Sequence, residues 1–337
     1  MLGRNETTNT NNLWEELMKK YKTQLTAAVL FAFFTFGLFG CKSDNTILDP
    51  GNTGSQTDEQ ALLKLTDNDE SLESFEPNYN EENAMDFGLG KTSTQIYPLR
   101  VGQRMFLVDR SMDVTFDGDS AIGLLTKNFS GTLYIAGSYT PADSNGHNTI
   151  DTVLQKQFST TVTRKIIFEK RANTALPDSN WKIKAISLPE GGTLNPAVEI
   201  ASVSIFYPSG DSMLITEPNE YFLYRGPGFR HQIPVLHRFR DVRVVVEVNS
   251  AYADTDYVTL TYGAMRSNRL HRSKKRFELV SSTFDGTTYH KTYEGTWKTL
   301  QFPGWKHAII NIIPFQAVND DSAPVEENTW GIPYIVL

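Results

Sequence analysis

From residue 92 onward no stretch of the chain keeps a helical hydrophobic period. Short runs rich in Val, Ile, Thr, Phe and Tyr recur instead between turn dipeptides such as Asp117-Gly118, Asn145-Gly146, Pro177-Asp178, Gly191-Gly192 and Asp285-Gly286. Alternation of this kind, punctuated by residues that accept turn geometry, is the signature of half-buried strands. A mainly β fold is therefore predicted, with strands expected at 104–116, 120–127, 131–139, 157–171, 181–188 and 198–207. A second series is expected at 241–249, 257–262, 276–282, 287–293, 306–315 and 330–336. Within 241–249, Val242, Val244, Val246 and Val248 alternate with Arg243 and Glu247, and only Val245 breaks the pattern.

A different pattern precedes the β-type region. Residues 25–40, LTAAVLFAFFTFGLFG, carry no charge over sixteen positions and follow Lys19, Lys20 and Lys22. A basic start, an apolar stretch and small residues before a cleavage point are the marks of a secretory signal. Sixteen apolar residues fall short of the roughly 20 that a spanning helix needs. The flank beyond is acidic, not the basic flank of a retained helix. Met18 directly precedes two of the lysines, and a start there gives a signal of ordinary length.

The chain has one cysteine, Cys41, which excludes an internal disulfide framework and multi-thiolate zinc sites. Leu38, Phe39, Gly40 and Cys41 together resemble the lipobox of bacterial lipoproteins. The resemblance implies removal of residues 1–40, acylation of Cys41 and a membrane partner reached through that anchor. Phe39 is bulkier than the usual occupant of its slot. Lys42 stands where an aspartate is associated with inner-membrane retention, so the resemblance implies the outer membrane, at its periplasmic face or the cell surface.

Residues 41–90, the bulk of the segment 41–91, hold twelve acidic side chains against Lys42 and Lys64. Such composition reads as a solvated, disordered tether. Thr57 or Asp58 before the apolar ALLKL marks one short helix inside it. Two β-rich domains are expected beyond the tether, at 92–207 and 230–337, joined by a Pro/Gly-rich linker at 208–229. The first is read as a sandwich or curved sheet. Residues 163–187, with Trp181, Ile183 and Ala185 on one face, are similar to the last hairpin of the cone-shaped α+β domains of the nuclear transport factor 2 type (NTF2-like). The second domain, with its aromatic-rich final strand, resembles an immunoglobulin-like (Ig-like) β-sandwich, which implies architecture and no chemistry.

Chemistry-bearing patterns are sparse. Gly210-Asp211-Ser212 is similar to the opening of one esterase family, but it lies mid-chain without a downstream Asp-x-x-His, so it reads as a turn, as does Gly118-Asp119-Ser120. The histidines His147, His231, His237, His271, His290 and His307 are scattered, with no H-E-x-x-H spacing. Asp67/Asp69, Asp117/Asp119 and Asp254/Asp256 lack the glycine and distal glutamate of a calcium loop. No metal or cofactor is expected. A net charge of −7 argues against nucleic acid as a partner.

Two surface readings remain. The run 266–276, with Arg266, Arg269, Arg272, Lys274, Lys275 and Arg276, is a candidate patch for an anionic partner, or for the chain's own acidic segment. Trp297, Trp305 and Trp330, if exposed, offer stacking faces for a glycan. The sequence thus points to a secreted, lipid-anchored envelope protein with a binding or scaffolding role toward an envelope protein or a glycan. A carbohydrate-binding lipoprotein and a hydrolase with an unrecognised site in the first β-rich domain are the rival classes.

Overall fold

The computed structural model describes residues 57–80, 85–86, 97–141, 143, 149–225, 232–265 and 272–337. The signal, the lipobox residues Leu38, Phe39 and Gly40, and Cys41 lie outside them. Three helices come first: Asp58–Asp67 (α1), Glu70–Glu73 (α2) and Phe75–Tyr79 (α3). Thr57 and Gln60 close a reciprocal capping box at the start of α1, which satisfies two otherwise orphaned amides. Leu62, Leu72, Phe75 and Tyr79 are buried. This part of the expected tether is therefore structural. Its apolar side chains enter the core, and its acids meet cations: Asp69 pairs with Arg225, Asp67 with Arg110, and Glu76 with Lys127.

A meander of unusually long strands follows the two-residue β1 (Met85–Asp86): β2 (Tyr97–Asp117), β3 (Ser120–Ser138) and β4 (Thr152–Lys170). Asp117 and Ser120 face each other across the β2–β3 turn, where Gly118 takes a φ of 57°. Residues 128–130, expected to interrupt, continue β3 without a break. Next come α4 (Pro177–Asn180), β5 (Trp181–Ser187), β6 (Glu190–Gly192), β7 (Val198–Phe206), β8 (Ser212–Ile215), a 3-10 turn at Pro218–Glu220, β9 (Phe222–Tyr224) and β10 (Val235–Leu236). The β4–β5 hairpin forms as expected, with Ile166 opposite Ile186. Trp181, Ile183 and Ala185 are all buried, but a register shift at Ile167/Phe168 pairs Ala185 with Ile167 while Ile183 and Trp181 pair with Phe168 and Lys170, so the three do not share one face as the sequence suggested. The remaining elements are β11 (Asp241–Ser250), β12 (Tyr257–Tyr262), β13 (Ser273–Arg276), β14 (Glu278–Phe284), β15 (Tyr289–Lys298), β16 (Gly304–Ile313), α5 (Phe315–Asn319) and β17 (Asn328–Val336).

These strands make two sheets. The larger runs β1-β2-β3-β4-β6-β17-β16-β12-β13, with β5, β9 and β10 attached beside that path, and the smaller runs β14-β15-β11-β7-β8. The described pairings are antiparallel apart from β10 with β17. Val242, Val244, Val246 and Val248 of the smaller sheet are buried in one cluster with Val258, Leu260, Ala308, Ile310, Ile312 and Ile332 of the larger, so the two pack face to face. The opposite face of β16 is covered as well. Ile309 and Ile313 pack with Phe75 and Tyr79 and with Val101, Phe129 and Leu133 of the meander. The larger sheet thus curls back on itself, and Asn311 Nδ2 of β16 reaches Gln103 Oε1 of β2 at 3.3 Å.

The chain does not divide at 208–229. Residues 56–337 form one unit. From the first half, β7 pairs with β11 of the second, and β6 joins β4 to β17. The Pro/Gly-rich stretch is bound into both sheets through β8 and β9. Gly191-Gly192, read as a turn, is part of the seam strand β6. The run read as one strand at 276–282 is two strands in different sheets, with Phe277 buried at the crossing. A Cβ on Gly295 would lie 2.3 Å from the Phe277 ring, so this crossing requires a residue without a side chain.

Inside the curled sheet lies a chain of buried polar groups. Tyr79 Oη donates to Glu327 Oε1 at 2.6 Å and lies 2.7 Å from Thr160 Oγ1. Asn311 Nδ2 donates to Glu327 Oε2 at 3.0 Å, and Thr329 Oγ1 donates to Asn311 Oδ1 at 2.9 Å. Buried polar atoms need partners of this kind, and the network fixes α3 against β16 and β17.

Candidate functional site

A cleft of about 640 Å³ opens where the ends of β7 and β8 meet the segment around β10. Its floor is apolar, from Met213, Ile233 and Leu236, and Tyr207 and Tyr221 stand beside it. Its polar lining comes from Asp211, Ser212, Gln232, His237 and Arg240, all exposed. An apolar floor under a few convergent polar groups is the common composition of a small-molecule site, and the volume falls within the usual ~300–1,000 Å³. Burial pushes the Tyr207 hydroxyl above its ordinary pKa, with a further contribution from Tyr221. That phenol stays neutral, contacting Met213 Sδ at 3.9 Å.

The turn that brings His237 and Arg240 to the cleft is held by one residue, the fully buried Thr299. Thr299 Oγ1 donates to the His237 carbonyl at 2.6 Å and accepts from the Arg240 amide at 2.9 Å. The Phe239 amide donates to the Thr299 carbonyl at 3.0 Å, and the Thr299 amide donates to the Arg240 carbonyl at 3.0 Å. Within this clamp Phe239 has a φ of 57° and remains 60% exposed. A bulky side chain in the left-handed region is strained, and such strain persists where surrounding bonds over-determine it.

The esterase-like Gly210-Asp211-Ser212 lies at this cleft, and so does His237, which the sequence alone did not bring together. The arrangement is not a hydrolytic triad. Among the described residues no hydrogen bond links Ser212 to His237, and Asp211 accepts from Ser209 Oγ at 2.8 Å rather than from a histidine. Gly210, with a φ of 92°, completes a turn in which the Tyr207 amide donates to the Asp211 carbonyl at 2.9 Å. The turn reading of this tripeptide holds.

The anionic-partner patch is only partly within view. Arg266 and Arg269 lie outside the described residues. Arg272 donates to the carbonyls of Pro77, at 3.0 Å, and Asn80, placing a cation on the C-terminal end of α3 where the helix dipole favours it. The basic run therefore does meet the acidic segment, through the carbonyls of Pro77 and Asn80. Lys274, Lys275 and Arg276 belong to β13, and the Arg276 guanidinium stacks over the Tyr257 ring at 4.8 Å. Of these four, only Lys275 is exposed, and the other three are half-buried.

The tryptophan platform is not formed as expected. Trp297 and Trp330 are each 3% exposed, and Trp297 is packed between Tyr262 and Tyr334 with ring centroids 4.9 Å from both. Trp305 is half-buried. Strand alternation turned the first two inward, so neither offers a face to a sugar. The remaining candidates are engaged locally. His290 bridges Asn249 and Asp285, Asp256 forms a buried pair with Lys291 at 2.8 Å, and His307 Nδ1 lies 2.7 Å from Ser74 Oγ. His147, His231 and His271 fall outside the described residues. Among the described residues no group of three or more His, Cys, Asp or Glu is placed to hold a metal.

Comparison with known proteins finds no family model and no curated protein that matches the chain. No described helix is long and apolar enough to cross a membrane.

Proposed function

We propose that this chain is a secreted, lipid-anchored protein of the bacterial envelope that serves as a non-catalytic binding module. The anchor is Cys41, behind Leu38, Phe39 and Gly40, and the destination is the outer membrane. The observation that carries the binding role is the cleft at β7, β8 and β10: an apolar floor with polar groups around it, a strained aromatic held beside it, and a serine and a histidine that share the cleft without sharing a proton. A hydrolase would need those last two in hydrogen-bond reach. A binding site does not.

The test is fractionation of cells expressing the parent chain or the Cys41→Ala variant, with protease shaving of intact and lysed cells. The parent is expected in the outer-membrane fraction, and the variant is expected to lose the size change that acylation and cleavage produce. A variant that fractionates and migrates like the parent would overturn the anchor. Digestion in intact cells would place the folded unit at the surface, and protection until lysis would place it in the periplasm.

A further inference from the structure

We infer that the cleft binds an amphiphilic anion, a ligand with a phosphate or carboxylate head and an apolar tail; this rests on the binding-module reading above. Three observations converge. The floor over Met213, Ile233 and Leu236 is hydrocarbon, and the half-buried Tyr207, Tyr221 and Val235 add accessible apolar surface to it, which suits a tail and gives a purely ionic ligand nothing. The donors are on one turn: Arg240 and His237 both line the cleft, and Arg238 is exposed between them in sequence. The one carboxylate in the lining, Asp211, already accepts from Ser209 Oγ.

The third observation is the clamp. Exposed arginines usually sample many rotamers and hold an anion weakly, because ordering them costs entropy. Here the backbone on both sides of Phe239 is fixed through five hydrogen bonds with Thr299, one to His237, one to Phe239 itself and three to Arg240. The turn is therefore preorganised, which reduces the cost of binding. The same clamp keeps Phe239 outward in a conformation that glycine would adopt without strain. A strained, exposed aromatic flanked by Arg238 and Arg240 has the composition that engages the boundary between headgroups and acyl chains. Two sources can supply the shared chemistry: a lipid still in its bilayer, or a free amphiphile in solution.

The experiment is titration calorimetry on the full chain carrying Cys41→Ala, so that no acyl group is added by the cell and every variant shares the same N-terminal segment. Octyl phosphate, octanol and inorganic phosphate are compared. Octyl phosphate is expected to bind at least about tenfold more tightly than either half-ligand, and His237→Gln with Arg240→Gln is expected to remove about that factor, since charge-assisted hydrogen bonds are being deleted. These positions are exposed, so the melting midpoint should not move. Equal binding of octyl phosphate and octanol, equal binding of octyl phosphate and inorganic phosphate, or an unchanged double variant would each overturn the inference.

A second arm uses phosphatidylglycerol vesicles and Phe239→Ser. Weaker vesicle binding with octyl phosphate binding retained supports the inference with a bilayer lipid as the source. Vesicle binding unchanged beside retained octyl phosphate binding supports it with a soluble amphiphile as the source. Failure here stays separate from failure of the anchor, because fractionation of the lipidated parent reports on Cys41 and not on the cleft.

Discussion

The side chain of Asn78 pairs with the peptide of Ala264 as one strand pairs with another: Asn78 Nδ2 donates to the Ala264 carbonyl at 2.9 Å, and the Ala264 amide donates to Asn78 Oδ1 at 2.9 Å. Both residues are completely buried. Asn78→Ala leaves a buried amide and a buried carbonyl without that partner, and each such group costs about 1–3 kcal/mol. The expected outcome is a loss of about 2–4 kcal/mol in denaturant unfolding. A loss below about 0.5 kcal/mol, the range of neutral surface changes, would show that the acidic segment is not part of the cooperative unit.

Lys306 is buried with its ammonium donating to the Gly263 carbonyl at 3.2 Å, and burial lowers its pKa to about 8. An unfolded lysine titrates near ~10.4. Between those values the unfolded chain binds more protons, so stability should rise with pH through that window, and below pH 8 the penalty should be constant. Lys306→Met keeps the volume and removes the charge, so it should be more stable than the parent at neutral pH. The slope above pH 8 should flatten in the variant. A less stable variant would mean that the ammonium makes a net favourable contribution.

His307 faces the other way, onto α2 and α3. Burial, reinforced by the positive charges of Arg164 and Lys127, holds its pKa well below the usual value. The unfolded histidine takes up a proton near pH ~6.5 while the folded one does not, so stability should fall as pH drops below that point. In His307→Gln the component of the acid-side slope that begins near pH ~6.5 should disappear. An unchanged slope between about pH 6.5 and 5 would show that other groups, such as carboxylates, set the acid sensitivity.

Phe239→Gly should separate stability from binding. Glycine accepts a φ of 57° without strain, and releasing a left-handed bulky residue is worth on the order of 1 kcal/mol. The variant is expected to melt higher than the parent. A lower midpoint would mean that the exposed ring makes packing contacts that outweigh the strain.

Gly295→Ala would place its methyl group against the ring of Phe277. Overpacking at such a site costs about 1–3 kcal/mol. The strain should be relieved by Phe277→Leu in the double variant, and additivity of the two changes would rule out direct contact.

Strand existence was legible wherever one face is buried. The alternation of Val242, Val244, Val246 and Val248 maps onto β11, and the turns at Asp117-Gly118 and Asp285-Gly286 stand where the dipeptides mark them. What the sequence hid was partnership. Gly191 and Gly192 look like a turn because strand interiors seldom hold two glycines, yet here they form a strand because other backbones approach closely on either side. The acidic run read as solvent-facing because its apolar residues are few and its cations, Arg225, Arg110 and Lys127, lie far away in sequence. The cleft was hidden for the same reason. Thr299 carries no signal of its own, and its bonds to His237 and Arg240 cross some 60 residues.

β17 lies between β6 and β16 and closes the seam of the larger sheet, yet among the described strands it is the last to be synthesised. The meander, the helices and the smaller sheet must therefore wait for Asn328–Val336 before the structure can lock. With so many pairings between distant parts of the chain, this final step is expected to be slow. Under the export proposed above that delay has a use, because a chain that cannot finish folding until β17 is made stays threadable during passage across a membrane.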